Sequence, residues 1–197
     1  MPGLKSRIAN TGRLFAASTH GIAAVEFAMV IPLLLLLLLA TFDGGRAIAL
    51  YMKVRSATYT LAAVTNQYTV IQSSDMTSIV GATSVVLAPY SNTPAIVRIS
   101  QLSMNSAGQV TVNWSYALNG TALSQGSTVT VPASFAPSNN ATCSSYPCYL
   151  ILAQVSYAFS PTFNYFASGG ITLSDNLYVT PRSSNCVLYP PQNVTSC

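Results

Sequence analysis

Few side chains in this 197-residue chain can do acid–base or nucleophilic chemistry. The carboxylates are Glu26, Asp43, Asp75 and Asp175, and the only imidazole is His20. None of these stands in a spacing that pairs a base with a nucleophile. Serines and tyrosines are abundant, yet no base is placed to activate one. Asp75 reads as a helix cap and Asp175 as a turn residue. Gly169-Gly170, just before an apolar run, reads as a turn and not as a phosphate cradle. The residue inventory therefore points away from an enzyme, and no cofactor is expected.

The remaining reactive groups are four late cysteines, Cys143, Cys148, Cys186 and Cys197. A zinc site would need paired short spacings and usually histidine, and no histidine follows residue 20. Disulfides are the expected use. Three pairings can be drawn; the local one, Cys143–Cys148 with Cys186–Cys197, needs the shortest closures. Such bridges persist in oxidising compartments. The Asn-x-Ser/Thr triplets at Asn113, Asn119, Asn140 and Asn193 are expected by chance in a chain this rich in Ser, Thr and Asn.

Charge and hydropathy locate the rest. Only 6% of residues are charged, against about 25% in a soluble domain. The formal charge is +4, but Lys5, Arg7 and Arg13 supply most of it from the first twenty residues. Beyond them the chain is nearly neutral and lacks the basic face that nucleic acid requires. From Ile22 to Phe42 runs IAAVEFAMVIPLLLLLLLATF, a helix of roughly 31 Å at about 1.5 Å per residue, matching a bilayer core. A signal peptide has a shorter apolar run and small residues at its end; here Asp43-Gly44-Gly45-Arg46 follows. A buried core helix would show a polar face, and Leu33 to Leu39 shows none. The flanking cations put the N-terminus in the cytoplasm and the remainder outside.

Two residues interrupt this segment. Pro32 removes a backbone donor, which membrane helices tolerate. Glu26 is costly in lipid, by about 2.5–3.5 kcal/mol at the centre of a span. Either it snorkels to the headgroups, or a cation meets it after assembly.

The context of Glu26 favours assembly. His20-Gly21-Ile22-Ala23-Ala24-Val25-Glu26-Phe27 places a glycine before an apolar run whose fifth residue is glutamate, followed by an aromatic. This resembles the processing site of type IV pilins. The longer stretch GIAAVEFAMVIP, with polyleucine and then Asp43-Gly44-Gly45-Arg46, resembles the TadE-like pseudopilins of tight-adherence pili. The stretches Trp114–Gly120 and Leu173–Arg182 are similar to the exterior domains of such proteins. The resemblance implies cleavage by a prepilin peptidase between Gly21 and Ile22, with Glu26 and Phe27 completing the recognised motif and Glu26 and Pro32 serving assembly. It implies as partners other pilins and pseudopilins, the peptidase, an inner-membrane assembly platform and membrane lipid, with no nucleic acid and no metal.

The elements that carry these residues follow from periodicity. Leu50, Val54, Ala57, Leu61, Val64, Tyr68 and Ile71 step by four and three, so an amphipathic helix is expected to continue over 43–72. Gly44-Gly45 is a weak point between its two parts. Ser74-Asp75 can cap a second helix running to about Ala88 before Pro89. Val110, Val112, Trp114 and Tyr116 alternate with polar residues, and Ala95–Met104 is the hairpin partner across the turn Asn105–Gly108. Ile151 to Phe159 and Ile171 to Val179 are further strands, Thr128–Val131 a short fifth, and Pro132–Tyr146 a loop. The expected fold class is α+β and pilin-like. A leader over 1–21, a membrane helix over 22–42 and its continuation precede an exterior domain over 73–197, whose antiparallel sheet lies on the helix seam. The leading reading is a TadE-like minor pilin of a pilus or its initiating complex. The alternatives are a single-pass membrane protein with a ligand-binding exterior domain, and a pseudopilin of a type II secretion system.

Overall fold

The computed structural model describes residues 20–91, 93–135, 143, 145–163 and 170–197. Nearly all of the expected leader, residue 140 and most of the loop before Tyr146 lie outside the described residues. In order come α1 (His20–Thr65), α2 (Ser73–Leu87), β1 (Ala95–Met104), β2 (Val110–Leu118), β3 (Cys148–Phe159) and β4 (Ile171–Val179), with single 3-10 turns at Ala133–Phe135 and Pro190–Gln192. The class is α+β. The chain divides into two compact units between Gly45 and Arg46.

In the second unit the four strands form one antiparallel sheet in the order β2-β1-β3-β4. Leu50, Val54, Ala57 and Leu61 of α1 are fully buried in a cluster with Val97, Ile99, Trp114, Ile151, Ala153 and Val155 of the sheet. The expected seam is therefore the contact between helix and sheet. Each Leu, Val or Ile among them contributes roughly 1.5–3 kcal/mol on burial. On α2, Met76, Ile79, Val80, Thr83 and Leu87 face the same core at helical spacing.

The first helix stops at Thr65, short of the expected Gln72. Its last turn tightens as the N–H of Gln67 bonds Val64 O at 3.2 Å and that of Tyr68 bonds Thr65 O at 3.2 Å. The following Thr69-Val70-Ile71 is β-branched, which favours extended backbone. It pairs in parallel with the C-terminal segment: Ile71 N–H donates to Leu188 O and Leu188 N–H to Thr69 O, both at 2.9 Å. Ile71 is still fully buried, so the apolar period survives while the helix does not. The cap of α2 also shifts, because Gln72 is the N-cap residue and its N–H donates to Asp75 Oδ2 at 2.8 Å. Asp75 thus acts from the third helical position.

The hairpin turn closes through Asn105, whose backbone and side-chain oxygens accept N–H bonds from Gly108 and Gln109. Gly108 adopts φ 81°, a left-handed conformation costly for other residues. A bulge then interrupts the β1–β2 register, so that Gln101 faces Trp114 while Leu102 faces Val112. It turns β2 over. Val110 and Val112 join Leu102, Met104, Leu150 and Leu152 in a second cluster, whereas Trp114 stays with the helix-facing core. The alternation in sequence suggested a single face for all of them.

The expected strand Thr128–Val131 reduces to one bridge, Thr111 to Thr128. Three backbone bonds still hold residues 126–129 against β2: Val112 N–H to Ser127 O, Gly126 N–H to Val112 O and Val129 N–H to Val110 O. Pro132, which has no N–H, follows before the pairing can lengthen. Leu123, Val129, Val131 and Phe135 cover the second cluster.

Candidate functional site

In the first unit α1 runs from His20, the residue before Gly21, into the apolar stretch. Its most apolar window has mean hydropathy 2.7 and none of it is buried within the chain. Leu and Ile favour this helix by propensity, and a helix satisfies its backbone groups internally, as lipid demands. Phe27, Met29, Leu33 and Leu37 are 64%, 77%, 65% and 60% exposed. A helix that is apolar all round is stable only when something outside the chain covers it. By length and composition this helix suggests a membrane anchor.

Glu26 lies in this segment, four residues after Ile22, and so on the same helix face about 6 Å along the axis. It is exposed, as is Pro32, over which the helix continues. Thr41 is internally satisfied, its hydroxyl donating to the carbonyls of Leu37 and Leu38 at 2.9 and 2.8 Å. A Cβ built on Gly21 would meet nothing within 4 Å. Among the described residues, packing does not require glycine there.

At the start of the second unit Arg46 is half-buried, with its guanidinium 5.9 Å from the centre of the Phe159 ring and a hydrogen bond to the Thr162 hydroxyl. This cation–π contact ties the first turn of that unit to the end of β3.

The cysteines pair locally, Cys143 with Cys148 and Cys186 with Cys197. Both bridges line one cleft of about 340 Å³, together with Tyr149, Thr180 and Asn185. Among the described residues no three of His, Cys, Asp and Glu come together as metal ligands would.

Sequence reasoning missed how the C-terminal segment is held. The fully buried indole of Trp114 donates to Val187 O at 2.8 Å, and Val187 N–H donates to Oε1 of the fully buried Gln101 at 2.6 Å. Gln192 imitates a strand: its Oε1 accepts Ser115 N–H at 3.1 Å and its Nε2 donates to Ser115 O at 2.7 Å. Arg182 N–H and the Ser183 hydroxyl bond the carbonyls of Asn66 and Gln67 at the end of α1. The one available hint was a glutamine inside an apolar strand pattern, since buried polar groups need partners.

Burial raises the phenol pKa of Tyr157, Tyr178 and Tyr189 above the ordinary value; Tyr90 adds to the effect at Tyr157 and Tyr116 at Tyr189. These rings serve packing. Tyr189 lies 5.3 Å from Trp114, and Tyr178 lies 5.3 Å from Phe135.

Residues 21–63 match the family model described as TadE-like protein. No curated protein and no solved structure shows a significant match to the chain. The matched residues begin at Gly21 and include the whole apolar stretch, Glu26, Pro32 and residues 43–46. The similarity of this N-terminal segment to TadE-like proteins supports a role in Tad pilus assembly and suggests pilin partners.

Proposed function

We propose that this chain is a minor pilin or pseudopilin, cut by a prepilin peptidase between Gly21 and Ile22 and assembled through α1 into a Tad-type pilus or its initiating complex. The observation that carries this reading is the apolar helix left uncovered by the described residues, with Gly21 near its start and one acidic residue, Glu26, five positions on. Before assembly, lipid covers the helix; afterwards, the helices of neighbouring pilins do. The basic residues ahead of it favour a cytoplasmic N-terminus, and the two disulfides favour a periplasmic second unit.

Cleavage creates an amine on Ile22. Within a bundle of apolar helices this amine and Glu26, of the same or a neighbouring subunit, can neutralise each other. An isolated carboxylate there is strongly disfavoured, and pairing offsets that cost. The pair acts as a register device, selecting the stagger in which opposite charges meet. The role is structural and needs neither a catalytic group nor a cofactor; the peptidase and the inner-membrane platform do the work.

Intact-mass measurement of the protein from its native host tests the reading. The expected species begins at Ile22, and Gly21→Val blocks its formation. A mature protein that retains residues 1–21 refutes it.

A further inference from the structure

Among the described residues, the sheet face turned away from α1 is only half covered. Leu123, Val129, Val131 and Phe135 lie over its apolar end. At the other end a cleft of about 300 Å³ is floored by Ile96, Arg98, Gln154, Ser156, Ser174 and Asn176. Register puts Arg98, Gln154 and Asn176 in one row across β1, β3 and β4, and Ile96, Ser156 and Ser174 in the next.

The row has a direction. Arg98 Nε donates to Thr121 O at 3.0 Å, which fixes the guanidinium. Its Nη1 approaches Gln154 Oε1 at 3.4 Å, and Gln154 Nε2 donates to Asn176 Oδ1 at 3.2 Å. A guanidinium can only donate, so Gln154 must turn its oxygen towards Arg98 and its nitrogen towards Asn176. Asn176 must then turn its oxygen inward. Each side-chain amide oxygen of the row is engaged. The remaining guanidinium N–H groups and the Asn176 NH₂ are left as donors. Among the described residues no carboxylate bonds Arg98.

A row of donors with one fixed cation selects a ligand that brings acceptors and one negative charge. A single cation is too little for a polyanion such as nucleic acid. The cleft also lacks the aromatic anchors of a protein hot spot; Ile96, 39% exposed, is its one sizeable apolar group at the rim. Its volume is at the lower end for small-molecule sites. We propose that this cleft binds an acidic saccharide, a uronic acid unit. The carboxylate meets Arg98, the ring hydroxyls meet Asn176, Ser156 and Ser174, and the apolar ring face rests on Ile96.

Titration calorimetry of the full chain in detergent micelles tests this with three probes: trigalacturonate, the neutral galactose trisaccharide, and a short glutamate peptide of equal charge. Trigalacturonate is expected to bind, and the other two to bind at least about tenfold more weakly. Asn176→Asp keeps the acceptor that Gln154 uses, replaces the outward NH₂ with a negative oxygen and leaves Arg98 and Thr121 alone. It should weaken trigalacturonate about tenfold or more without moving Tm. Arg98→Gln should abolish binding. The proposal is overturned if trigalacturonate does not bind, if the neutral sugar or the peptide binds as tightly, or if Asn176→Asp binds as the parent does.

Discussion

Replacing Cys186 and Cys197 together by alanine isolates what the C-terminal bridge contributes. The bridge joins residues 11 apart. A cross-link over such a loop removes on the order of 9–10 cal/mol/K from the unfolded chain, or about 3 kcal/mol at 25 °C. The bridge between Cys143 and Cys148 spans a separation of 5 and should contribute only about 2 kcal/mol by the same relation. Trp114 is the only tryptophan, is fully buried and bonds Val187, the residue after Cys186. Its emission therefore reports whether the tail is seated. In guanidinium titrations of the full chain in detergent, the tail variant should lose about 3 kcal/mol, with emission and far-UV circular dichroism moving together. The Cys143/Cys148 variant should lose less. If the tail variant loses under about 1 kcal/mol, or if the order of the two variants is reversed, loop closure is not what the bridges supply.

Trp114→Phe removes the donor to Val187 O and leaves a gap in the core; together these should cost about 2–4 kcal/mol in chemical denaturation. Raising the pH should destabilise the second unit only in alkali. The phenols of the buried Tyr157 and Tyr189 and the half-buried Tyr178 hold their protons above the ordinary value of 10.0, so unfolding releases protons there. Their contribution is complete below about pH 10 and is lost as pH rises through the folded-state pKa values; a Tm that stays flat to strong alkali would contradict this. Glu26→Val should leave the stability of the second unit unchanged and still be cleaved, yet fail to crosslink to other pilins. Assembly equal to the parent would show that the glutamate is incidental.

How much was legible in the sequence depended on whether the cause was local. The bounds of β1 and β4 could be read because alternation and turn residues such as Asn105 and Gly108 act over a few positions. The apolar helix was equally plain, since twenty residues without a polar face have few alternatives. The face switch of β2 could not be read: it arises from pairing with β1, and the alternation of Val112 and Trp114 is the same with or without the bulge. The end of α1 was missed for a related reason. Ile71 satisfies the helical period, but its backbone pairs with Leu188, well over a hundred residues later in sequence. At the candidate site the motif around Gly21 was legible, whereas what meets Glu26 was not, because its side chain is exposed and the proposed partner is an amine that cleavage would create.

The seating of residues 186–194 also sets a timetable. The ribosome makes these residues some seventy or more positions after Gln101, Trp114 and Ser115, whose partners they supply. Until they arrive, a buried indole N–H and a buried amide oxygen have nothing to bond, and residues 69–71 lack the strand beside them. Contacts so distant in sequence form slowly and late. The second unit is thus held back from its final state while synthesis continues. The apolar helix at the other end, whose hydrogen bonds are all local, is free to find its lipid first.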